Sequence, residues 1–132
     1  MEKEFVPYEQ ALALKELGFD EPCLGFYWNT GKFYITAEYH NYVGLHKQNQ
    51  LGDYNYDSTS SPLYQQAFRW LREKYNLISN VDSLHYACEL KINKFIYKIV
   101  QKTGSGTYDI YDTYEEAELE CLKKLIEIVK KK

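Results

Sequence analysis

The sequence predicts an α+β fold in a single domain, 1–132, with elements in the order α-β-β-α-β-β-α: an antiparallel sheet of two hairpins, with helices packed on one face. Three observations lead there. Apolar residues recur at helical spacing in three stretches, after Pro7, after Pro62 and after Thr113. Two pairs of strand-like runs are each closed by a short turn, which makes their pairing antiparallel. At 132 residues the chain can bury one real core and has no room for a second domain.

The first helix opens at Val6-Pro7-Tyr8-Glu9-Gln10, since proline is tolerated in a first turn and an early glutamate suits the positive end of the dipole. Gly18 closes it as the left-handed residue past the last turn. Leu24 to Trp28 and Lys32 to Tyr39 form the first hairpin, with Asn29-Thr30-Gly31 as its loop and Gly31 at the bulge position. Residues 41–60 show no period and are rich in Gln, Asn, Asp, Ser and Tyr; a connection this long is either functional or hides an extension of the hairpin.

The second helix follows Ser61 as cap and Pro62 as first helical residue. In "LYQQAFRWLREKYNL", Trp70, Leu63, Ala67, Leu71, Tyr64, Tyr75 and Phe68 fall in one broad arc, and Gln65, Gln66, Arg69, Arg72 and Glu73 in the other. The aromatics are therefore assigned to the core and the arginines to solvent. Leu84 to Lys91 and Phe95 to Lys102 form the second hairpin around Ile92-Asn93-Lys94, with Leu84, Tyr86, Cys88 and Leu90 alternating against His85, Ala87, Glu89 and Lys91. Tyr108 to Asp112 is a short edge strand. Thr113 and Glu116 form a capping box for the last helix, which runs to about Lys130.

Composition narrows the function. Lys plus Arg total 16 against 19 Asp plus Glu, so a net charge of −3 provides no global attraction for nucleic acid or an anionic membrane. Cys23, Cys88 and Cys121 are an odd count without a C-x-x-C pair, which argues against a disulfide framework or structural zinc and fits a reducing cytoplasm. The charged Met1-Glu2-Lys3-Glu4 start lacks the apolar run of a signal peptide, and no segment has the apolar length to span a membrane. Tyrosine is the outlier at 14 residues, and its amphipathic ring suits adhesive surfaces as well as cores.

"FVPYEQALALKELGFDEPCLGFY", "SPLYQQAFRWLREKYNL" and "YEEAELECLKKLIEIVK" resemble segments of a family of small proteins encoded by Bacteroidetes genomes and by their phages, crAss-like phages among them. The resemblance implies a bacterial or viral cytoplasmic setting. It carries no activity, so no catalytic or binding residue comes with it.

Gly104-Ser105-Gly106 lacks the Gly-Lys-Ser/Thr ending of a phosphate loop and is read as a turn. His40, His46, Asp53 and Asp57 have metal-ligand chemistry, but no spacing enforces convergence, and no metal or cofactor is assigned. Cys88 alternates with core residues and Cys121 lies on the apolar face of the last helix, while Cys23 precedes a strand and is not placed by pattern; all three are read as buried thiols. Glu118 projects within the apolar arc of Ala117, Cys121, Leu125 and Val129, where partial desolvation would raise its pKa.

The sheet face away from the helices would carry Tyr34, Thr36, Glu38 and His40, then His85, Glu89 and Lys91, then Ile96, Lys98 and Val100. Tyr39, Tyr42, Tyr54 and Tyr56 cluster where no core pattern exists. The sequence thus points to an interaction module whose candidate binding residues are Tyr34, Glu38, Tyr39, Tyr42, Tyr54, Tyr56, His85, Glu89 and Lys98. A protein partner ranks first, a small molecule second and nucleic acid last, because Phe95 and Tyr97 alternate with Lys98 and so leave the lysine face. An enzyme or small-ligand binder using Glu38, His85, Glu89 or Glu118 is the alternative.

From the helical arcs alone, Trp70→Ala is expected to cost about 3–5 kcal/mol. Arg69→Ala or Arg72→Ala should each cost under about 0.5 kcal/mol. Urea denaturation of the three variants checks the assignment, and the reverse ranking would overturn it.

Overall fold

A computed structural model of the chain describes residues 2–36, 46, 58–84, 94–100 and 110–131. Two compact units emerge, Met1–Ala67 and Phe68–Lys132, with the boundary inside one continuous helix. The α+β class is as expected, and all strand pairs are antiparallel. Each hairpin acquires a third strand of its own, so two three-stranded sheets form where the sequence had suggested a single one.

In the first unit a 3-10 turn, Glu2–Glu4, leads through Phe5 and Val6 into α1 (Tyr8–Glu16). Gly18 takes φ 95°, and two bonds close the helix end: Gly18 N–H to Lys15 O at 3.0 Å and Phe19 N–H to Leu14 O at 2.9 Å. That is a Schellman closure, and the hydrophobic pair that accompanies it, Leu14 and Phe19, is buried.

β1 (Gly25–Trp28) pairs with β2 (Phe33–Ile35) across a loop in which Gly31 has φ 84° and donates to Trp28 O at 2.9 Å, the expected bulge turn. On its other side β1 pairs with β3 (Ser58–Ser61), so the sheet order is β2-β1-β3. Ser61 therefore does not cap the second helix. It ends β3, its hydroxyl donates to Val6 O at 2.8 Å, and Val6 N–H donates to Pro62 O at 2.9 Å. Strand pairing and the Val6 carbonyl satisfy the groups that a cap would have used, and α2 (Tyr64–Tyr75) begins three residues later.

Trp70 is buried at 7% exposure, Ala67 and Leu71 are fully buried, and Arg69 and Arg72 are exposed, as the helical arcs predicted. Asn76, at φ 59°, turns the chain from α2 toward β4, a left-handed position that asparagine tolerates.

β4 (Ile78–Leu84) pairs with β5 (Lys94–Val100), which also carries β6 (Ile110–Tyr111), in the order β4-β5-β6. This corrects the second hairpin. Its first strand already runs from Ile78, ahead of the expected start at Leu84, and Lys94 pairs with Leu84 instead of forming the turn; positions 85–91 of the expected strand lie outside the described residues. Asn, Asp and Ser in "ISNVDSL" favour turns locally, and seven cross-strand pairs with β5 override that preference.

α3 (Tyr114–Lys130) starts at Thr113, whose Oγ1 accepts from Glu116 N–H at 3.1 Å. Its buried residues Ala117, Cys121, Leu122, Leu125, Ile126 and Val129 form the apolar side of a helix that packs on β4 and β5. Among the described residues no helix is long and apolar enough to cross a membrane.

A Cβ at Gly25 would come within 2.8 Å of ring atoms of both Phe5 and Phe33. Gly25→Ala should therefore cost about 1–3 kcal/mol by overpacking. A urea midpoint equal to wild type would show that the two rings can separate freely.

Candidate functional site

Of the candidate binding residues, Tyr34 and Lys98 are described. Tyr34 lies on β2 in the first unit and Lys98 on β5 in the second. Glu38, Tyr39, Tyr42, Tyr54, Tyr56, His85 and Glu89 lie outside the described residues, as do the loop 41–45 and 47–57, Cys88 and the glycine turn at 104–106. Thr36, assigned to an open face, is instead buried at 3% exposure, where its N–H donates to Leu24 O at 2.9 Å.

The face of the first sheet that carries Tyr34 is aromatic. Register puts Phe26 opposite Tyr34, and their rings stack with centroids 5.6 Å apart at 22°. Trp28 meets Tyr34 edge-on at 6.4 Å, and Lys32 Nζ stands 5.4 Å from the Tyr34 centroid. On the other ring of this tier, His46 lies parallel to Phe26 at 4.6 Å and 6°.

His46 is fully buried and held at every polar atom. Nδ1 is 2.7 Å from Ser60 Oγ and Nε2 is 2.9 Å from Ser58 Oγ. Its backbone exchanges two 2.8 Å bonds with Cys23. The Ser60 hydroxyl also reaches His46 O at 3.4 Å, which favours Nδ1–H donating to Ser60 and Nε2 accepting from Ser58.

A serine hydroxyl on an imidazole at this distance is the contact of a nucleophile with its base. The surroundings oppose that chemistry. Burial, reinforced by the Lys15 ammonium, lowers the His46 pKa to about 4, which makes a weak base at neutral pH. Burial and the nearby Glu21 carboxylate push the Cys23 thiol up to about 12, far from a thiolate. The cluster is suited to holding structure. Sequence reasoning weighed His46 only as a metal ligand; among the described residues no group of three or more His, Cys, Asp or Glu is arranged to hold a metal.

The second sheet offers a different surface. Phe95, Tyr97 and Ile99 alternate toward the side where α3 packs: Phe95 meets Tyr114 edge-on at 5.9 Å, and Tyr97 stacks on Tyr111 at 5.9 Å. The opposite face carries Ile78 beside Val100, Asn80 beside Lys98, and Asp82, Ile96 and Ile110 in one row. Ile78, Val100 and Ile110 are 51%, 49% and 53% exposed. They are three of the five most exposed large apolar side chains among the described residues, and they share one face. Ile96, Lys98 and Val100 belong to the open face expected from sequence; Ile78 and Asn80 do not, because that expectation starts the first strand of the hairpin at Leu84.

Glu118 is half-buried on α3, and burial followed by the neighbouring Glu115 carboxylate raises its pKa to about 7. The same burial raises the Tyr114 phenol and lifts the Cys121 thiol to about 12. No family model, curated protein or solved structure matches the chain.

His46 and Glu118 give opposite pH signatures. His46 titrates lower in the folded than in the unfolded chain, so its contribution is complete above about pH 6.5 and is lost as pH falls toward 4. The loss should reach about 3 kcal/mol for a shift of this size, and His46→Asn should flatten that acid limb. Glu118 titrates higher when folded, so its contribution is complete below about pH 4.5 and is lost as pH rises through 7. Glu118→Gln should be more stable than wild type at pH 8 and equal to it at pH 4. Urea midpoints across pH 4–8 check both; parallel curves for wild type and variants would contradict the assignments.

Proposed function

We propose that the chain is a small binding module that receives a protein partner on the open face of the β4-β5-β6 sheet, with Tyr39, Tyr42, Tyr54 and Tyr56 as a second contact region. The observation that carries this reading is the grouping of Ile78, Val100 and Ile110, each about half exposed, on the face opposite α3. Scattered exposed apolar residues need no explanation, but apolar residues sharing one face mark an interaction surface. Covering the exposed half of each would gain roughly 1 kcal/mol per side chain.

Charge and ring placement support a protein over a nucleic acid. Phe95 and Tyr97, the rings that could stack on bases, pack on the α3 side, and Lys94 is engaged by Asp112. Asp82 also stands on the open face beside Lys98. The bacterial or phage cytoplasm implied by the family resemblance goes with a role in binding host or phage proteins.

A second reading, acid-base or ligand chemistry at Glu118, is favoured by its raised pKa. It ranks lower because the charged neighbour of Glu118 is another carboxylate, Glu115, which is no complementary acid–base partner. A directly measured Glu118 pKa near the ordinary carboxylate value would remove it.

A photo-crosslinking residue placed at position 100 should yield a discrete protein adduct in the native cell, and one at Glu73 on α2 should not. Val100→Asp with Ile110→Asp should abolish the adduct and leave the thermal midpoint close to wild type. Replacing Tyr39, Tyr42, Tyr54 and Tyr56 with serine should weaken capture and also spare stability. Equal labelling from positions 100 and 73, or none from 100, would sink the sheet-face reading; unfolding of the serine variant would return those tyrosines to the core.

A further inference from the structure

We propose that the partner on this face is a second copy of the chain, joined by a two-fold contact in which Lys98 of each copy meets Asp82 of the other. The inference rests on the reading of the open sheet face as the docking surface. Register sets the geometry: Lys98 is opposite Asn80 and Asp82 is opposite Ile96, so the two charges share the face, on neighbouring strands and one row apart. A two-fold axis passing between them lays each lysine over the other copy's aspartate, and both ion pairs form together, as an isologous interface requires.

The local contacts suit that arrangement. Asn80 Nδ2 donates to Asp82 Oδ2 at 2.6 Å, which orients the carboxylate on the face. Lys98 is exposed and makes no ion pair among the described residues. Apolar side chains flank the two charges, Ile78 and Val100 on one side and Ile96 and Ile110 on the other.

Other occupants fit less well. An apolar segment would desolvate Lys98 and Asp82 without bringing either a new partner. An anionic polymer or lipid surface would meet Asp82 on a chain of net charge −3. A second copy brings both signs in the matching positions. The area of a three-stranded face is small beside the roughly 800 Å² per partner of a stable complex, so a reversible dimer is expected.

Sedimentation equilibrium of the full chain, up to about 1 mM, tests this in the affinity range expected of a small interface. Wild type should show a monomer–dimer equilibrium. Lys98→Glu and Asp82→Lys should each weaken it at least about tenfold, as loss of a charge pair predicts. The combined exchange should restore most of the affinity, with all thermal midpoints near wild type. A monomeric wild type, or a double variant no better than the singles, would overturn the dimer. If wild type is monomeric while position 100 still crosslinks to a different protein, the dimer fails and the docking face stands; if neither association is seen, both fail.

Discussion

β3 is four hydroxyl residues in a row, Ser58-Thr59-Ser60-Ser61, and all four are buried. Burying a hydroxyl without a partner costs on the order of 1–3 kcal/mol, so the first unit must answer every one of these groups. His46 takes the Ser58 and Ser60 hydroxyls and Val6 O takes that of Ser61, while the Ser58 backbone carbonyl accepts from Lys15 Nζ at 3.2 Å. Among the described residues no buried side-chain nitrogen or oxygen is left without a partner. The placement of the Phe5-Val6 lead-in and of His46 follows from this requirement.

The same polar strand explains the packing around β1. Serines opposite Phe26 and Gly25 leave room on the two faces, which His46 fills against Phe26 on one side and Phe5 fills near Gly25 on the other. The Tyr27 hydroxyl joins the second side, donating to Val6 O at 3.3 Å. A larger residue in β3 would displace the imidazole or the lead-in segment, so small size and hydrogen-bonding capacity are required at once.

In the second unit the constraint is area. One helix, α3, has a single apolar stripe and can cover one face of a three-stranded sheet. Its stripe takes the Phe95-Tyr97-Ile99 side, and the alternate residues are left outward whatever their chemistry. Lys98 and Asp82 are ordinary there; Ile78, Val100 and Ile110 are not, and this contrast gives the face its functional interest. Of the surface nominated from sequence, Ile96, Lys98 and Val100 were legible because period-2 alternation in β5 is strong, whereas Thr36 was misassigned because its strand ends at Ile35 and alternation no longer governs it.

Local chemistry by itself determined the three helices, the closure of the first, the cap of the last and the first turn. Gly18, Gly31 and Thr113 each act through their own backbone or a neighbour within a few residues, so their roles are readable without a fold. Trp70 inward and Arg69 outward follow from helical geometry alone. Tertiary structure decided what depends on distant partners. β3 and β4 have the composition of turns and become strands only because β1 and β5 supply a ladder, and His46 becomes a buried, neutral pin only because serines 12 and 14 residues away hold its ring. A short polar segment carries no periodic signal of burial; its backbone and hydroxyls are committed by partners whose proximity the chain order does not encode.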